Sequence, residues 1–115
     1  MTATTHGLTL LCVGMIAAGQ ILFKQAAGKL KLSGTLFSAD VLSLLLIALG
    51  IYGVATLLWV FVLQSAPLSR LYPYMALSFV LVTFASWLIF GEHIAPLYIL
   101  GLALVISGLL VIAAS

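Results

Sequence analysis

Of the 115 residues, 65% are hydrophobic and only 5% are charged, and the mean hydropathy is +1.40; an ordinary soluble domain carries about 25% charged residues, so a water-soluble globule is excluded. Four Lys and Arg against two Asp and Glu leave a net charge of +2, too few cations to form a nucleic-acid face. Catalysis by side chains would need a nucleophile with a base, paired carboxylates or a ligand cluster, and none is present, so no enzyme site, metal or cofactor is expected.

The chain opens on "MTATTHG", which has no Lys or Arg for the n-region of a signal peptide. The apolar run that follows continues past Ala17, Ala18 and Gly19 to Phe23, and reads as a retained membrane helix. A bilayer core of about 30 Å takes roughly 20 residues of helix. Four segments meet that length: Leu8 to Lys24, Val41 to Leu63, Leu68 to Phe90 and Ala95 to Ala114. They form a single domain over residues 1–115, an all-α membrane protein built as a four-transmembrane-helix bundle. Cys12 has no second cysteine to pair with and is a small apolar residue of the first segment. Pro67 and Pro96 fall at junctions, where a missing N–H is harmless. Pro73 sits one turn into the third segment and marks either its first helical turn, the preferred reading, or a shallow kink.

Following the chain back and forth assigns each polar residue to a membrane face. Lys24, Lys29, Lys31, Asp40, Glu92 and His93 share one; His6, Gln64, Arg70 and Tyr72 share the other. Three Lys against one Arg favours a cytoplasmic lysine face, with both termini outside. Four tightly packed helices leave little interior room for a solute, so an oligomer is expected.

Ionisable and hydrogen-bonding groups beside hydrocarbon are the candidates for function. Lys24, at the end of the first apolar run, either lifts its ammonium to the headgroups or meets a phosphate or carboxylate. Gln20 lies one turn earlier on the same face and bonds either to a neighbouring helix or to a polar cargo. Glu92 pairs with Lys24 or takes a sugar amine or hydroxyl. Arg70, beside Tyr72, is an interfacial anchor or a two-point grip on phosphate. Gly101 and Gly108, seven residues apart on the last helix, form a flat stripe that suits either packing inside the chain or a dimer interface, the latter being preferred.

Taken in order, "GQILFKQ", "LWVFVLQSAPLSRLYPYMALSFVLVTFASWLIFGE" and the glycine pair of the fourth helix resemble the drug/metabolite transporter superfamily. The resemblance is nearest to the small flippase subunits that move undecaprenyl-phosphate-linked aminoarabinose, of the E type. It implies a small-multidrug-resistance or EamA-like half-transporter in the bacterial inner membrane, with a lipid-linked sugar phosphate as cargo. It also implies assembly as a homodimer or as a heterodimer with a second small four-helix subunit. On that basis Lys24 and Arg70 are assigned to the phosphate, and Gln20, Glu92 and Tyr72 to the sugar. The sister drug exporters carry a glutamate eight residues before the lysine, where this chain has Ile16, and a tryptophan where it has Met75. Without a buried carboxylate, proton exchange for a hydrophobic cation is disfavoured. A small-molecule exporter and a non-transporting scaffold subunit remain the alternative readings.

Overall fold

The structure, a computed structural model, describes residues 3–115; the first two residues of the "MTATTHG" stretch lie outside them. Helix α1 runs Ala3–Ser33 and α2 Ala39–Leu63. The third crossing is composite: α3 (Leu68–Leu71), a 3-10 turn (Tyr72–Tyr74) and α4 (Met75–Phe90). Helix α5 (Pro96–Ala114) makes the fourth. All four crossings are long and apolar enough to span a membrane.

The end of the first helix differs from the sequence expectation. Lys24 does not end the first helix, which continues nine residues further to Ser33. The stretch "KQAAGKLK" is polar but rich in Ala, Lys, Gln and Leu, all strong helix formers; polarity ends the membrane crossing, not the helix. The stop is Gly34, at φ 74°, whose N–H bonds to the Leu30 carbonyl at 2.7 Å. The third crossing spans Leu68–Phe90, as the hydropathy pattern predicts, and Pro73 lies one turn in, between α3 and α4. It falls in the 3-10 turn, where a tighter hydrogen-bond pattern accommodates the residue that has no N–H to give.

The other helix starts follow local chemistry. Ser38 caps α2 by accepting from the Val41 N–H at 3.4 Å, with Asp40 in the first turn near the positive end of the helix dipole. Pro96 occupies the first turn of α5, where no donor is needed.

Each crossing is apolar all round, so hydrophobicity cannot tell one helix face from another; residue size does. The buried residues of α2 are Val41, Ala48, Ala55 and Val62, each seven from the next. On α1, Thr5, Cys12, Gly19 and Ala26 repeat the same step. Cys12 Sγ lies 3.8 Å from the Ala55 carbonyl oxygen, and Gly19 meets the Tyr52 ring, so the two stripes face each other across the α1–α2 seam. A seven-residue step of small side chains lets two backbones approach closely, which in lipid supplies the packing that hydrophobicity does not. The buried Thr9 hydroxyl is satisfied within its own helix, donating to the Thr5 carbonyl at 2.7 Å.

Helix α1 packs against α2 and, less extensively, against α4, while α5 rests on α4 and the 3-10 turn. Among the described residues, none of α5 is buried. The result is a slab of 48 × 37 × 17 Å, about one and a half helix diameters thick.

Candidate functional site

The lysine rim is assembled from α1, α2 and the turn after α4. Gly19 leaves a bare patch on α1, and the Tyr52 ring of α2 fills it: a Cβ on Gly19 would stand 2.5 Å from two ring carbons. The ring tilts against Phe23 with centroids 5.4 Å apart. Its hydroxyl accepts a hydrogen bond from Gln20 Nε2 at 2.5 Å. That bond leaves the phenolic proton and the Gln20 amide oxygen free to engage something else.

One turn beyond Gln20, Lys24 Nζ lies 3.6 Å from Glu92 Oε1. Glu92 is delivered by the end of α4, where Gly91 adopts φ 64°, a left-handed turn open to glycine and costly to other residues. The Glu92 N–H then bonds to the Ser86 carbonyl at 3.1 Å, which closes the turn. The ion pair is longer than the roughly 2.7–2.9 Å of a charge-assisted hydrogen bond, and both side chains are about half exposed, at 57% and 43%. Such a pair contributes about 0–1 kcal/mol. A loosely held ammonium can exchange its carboxylate for another anion at little cost.

Three of the five proposed cargo residues, Gln20, Lys24 and Glu92, are therefore neighbours. Arg70 and Tyr72 are not. They lie at the opposite rim, near His6, which precedes Lys24 by 18 residues, or about 27 Å of helix. There the Arg70 guanidinium donates to the Ser115 backbone oxygen at 2.9 Å, and His6 Nδ1 is hydrogen-bonded to the Tyr74 hydroxyl. Tyr72 is exposed. Among the described residues, no atom beyond their own stretch of helix comes within 4 Å of where a Cβ on Gly101 or Gly108 would stand.

Tyr52 is the site residue that sequence reasoning missed. Its signal was available: a hydroxyl-tipped ring in the middle of an apolar crossing needs a polar partner. The nearest polar residue of the first crossing is Gln20.

The chain matches the EamA-like transporter family over residues 1–114. It is 36% identical over 110 residues to proteins of Salmonella heidelberg and Salmonella typhi, each named a probable 4-amino-4-deoxy-L-arabinose-phosphoundecaprenol flippase subunit ArnE. The Salmonella typhimurium protein of that name is equally similar. In each case the match covers 95% of this chain and 97% of the relative. No solved structure matches.

Proposed function

The chain belongs to the EamA-like transporter family, and from that premise we propose that it is one subunit of a flippase carrying a lipid-linked, aminoarabinose-like monosaccharide phosphate across the bacterial inner membrane. The observation that carries this reading is the lysine rim, where an exchangeable ammonium, Lys24, stands one turn from the Gln20–Tyr52 hydrogen bond. A phosphodiester leaving water needs a cation to replace its hydration, and a sugar needs paired donors and acceptors. That rim offers both, on a slab open to the side. A laterally open surface suits a cargo whose headgroup crosses while its tail stays in lipid.

In this reading Lys24 takes the phosphate at one rim and Arg70 at the other. Gln20 and Glu92 hydrogen-bond the sugar on the lysine side and Tyr72 on the far side. Glu92 releases Lys24 as the anion arrives, which keeps the net charge of the rim low in both states. A chain 17 Å thick lines only half of a passage, so the work is done by a dimer with a second copy or a second small subunit. The Gly101 and Gly108 stripe of α5 supplies the contact.

The test is translocation of an isoprenyl-phosphate-linked aminosugar in vesicles holding the assembled flippase. Lys24→Ala should slow it by about tenfold or more, the loss of one charge-assisted contact. An unchanged rate, or proton-driven movement of a hydrophobic cation with no lipid-linked sugar activity, would overturn the reading.

A further inference from the structure

The molecule does not end at its lysine rim. The contact between Lys24 and Glu92 puts the turn after α4 level with Lys24, yet α1 runs on to Ser33, about 14 Å of further helix. The longest axis of the slab, 48 Å, matches the roughly 46 Å of 31-residue α1 and exceeds the roughly 28 Å of 19-residue α5. A headgroup layer adds only about 5–8 Å to each side of the hydrocarbon. The tip of the α1–α2 hairpin therefore stands in water.

Its side chains do not suit water. Leu32 and Phe37 are 85% and 84% exposed, and unlike the exposed leucines of the crossings they have no lipid beside them. The stem below them is packed, with Ala26 and Val41 buried. Beside it a cleft of about 440 Å³ is lined by Gln25, Gly28, Lys29 and Leu32 of α1 and by Leu44 of α2. The four α1 residues fall at i, i+3, i+4 and i+7, one face of the helix. Nothing beyond its own helix comes within 4 Å of where a Cβ on Gly28 would stand, so a second backbone can approach there.

Charge selects the occupant. Among the described residues, Lys29 and Lys31 have no carboxylate within 4 Å, since Glu92 is taken by Lys24. Asp40 lies in the first turn of α2. These two acids are all that the chain has, so a second copy brings no acidic helix to the tip.

We propose that the hairpin docks an amphipathic helix of a different protein, with acidic residues flanking its apolar face. The apolar face covers Leu32 and Phe37, its backbone passes over Gly28, and its carboxylates meet Lys29 and Lys31, a helix-in-groove mode of recognition. This surface is separate from the cargo residues and does not rest on the flippase reading.

The test places the photoreactive residue benzoylphenylalanine at position 32 or 37 of the full-length chain in its native bacterium. Illumination should join it to a different protein, with the attachment mapping by mass spectrometry to a helix that carries acidic residues. Reversing both charges, Lys29→Glu with Lys31→Glu, should lower the adduct yield about tenfold or more, because attraction becomes repulsion at two positions. Gly28→Leu, which fills the cleft and keeps the charge, should lower it similarly. The amount of chain in the membrane, measured in the same samples, should be unchanged. The same probe in place of Leu57, within the α2 crossing, should give none of that adduct. Adducts with lipid alone, with a second copy, or with a segment free of acidic residues would overturn the proposal, as would no adduct at all or a yield indifferent to both variants.

Discussion

Helices α2 and α5 are almost equally apolar, with mean hydropathies of 2.4 and 2.6 over their crossings, yet the α1–α2 pair and α5 have opposite environments. The pair meets along a stripe of small residues at a seven-residue step, with Cys12 and Ala48 fully buried. Helix α5 buries nothing among the described residues and is tied down at its two ends. Near its start Tyr98 stacks on Phe79 at 6.1 Å, its hydroxyl 3.0 Å from that of Thr83, and at its close Arg70 holds the Ser115 oxygen. In lipid an apolar surface is already at home, so hydrophobicity alone drives no helix inward. What holds α1 to α2 is close backbone approach, and what leaves α5 open is that its two glycines face nothing in this chain.

The sharpest way to break that contrast is to overfill the seam. Ala48→Leu should destabilise the folded chain by about 1–3 kcal/mol, measured by unfolding in mixed detergent micelles, while Leu104→Ala on exposed α5 should stay within about 0.5 kcal/mol. Equal losses would mean that the seam is not what holds the fold. Gly19→Ala comes next: its methyl would drive the Tyr52 ring off α1 and part it from Gln20, with a stability loss toward the lower end of that range and slower translocation. Tyr52→Phe removes only the hydroxyl. A hydrogen bond between membrane helices averages about 0.6 kcal/mol, so its stability loss should be slight; the proposed role predicts a several-fold drop in transport, and full activity would remove Tyr52 from the site. On the open side, Gly108→Leu should leave monomer unfolding unchanged and reduce co-purification of tagged and untagged copies, or of a partner subunit. Glu92→Gln should have the smallest effect on stability, below about 1 kcal/mol, because the pair it breaks is half exposed.

Much of the rim was legible beforehand. Lys24 and Glu92 fall on one side because two crossings, an even number, separate them, and Gln20 joins them by helical spacing alone. The extent of α1 was misread because hydropathy reports where lipid ends and not where a helix ends; the helix formers between Lys24 and Gly34 carried the missing information. The seven-residue steps were also present in the chain, hidden because the residues between them are equally apolar and differ only in size. Tyr52 escaped because its partner is 32 residues away, a pairing that depends on the register of two helices.

The amino-acid sequence alone determined the number of crossings and the rim on which each charge sits, since burial of peptide groups in hydrocarbon permits only whole helices and each reversal switches sides. Only the tertiary structure decided which faces meet, that α5 stands open, and that the α1–α2 hairpin reaches beyond the turn after α4. Those outcomes rest on shape, on a ring fitting over a glycine and one backbone fitting against another, and shape has no counterpart in a one-dimensional pattern of apolar residues.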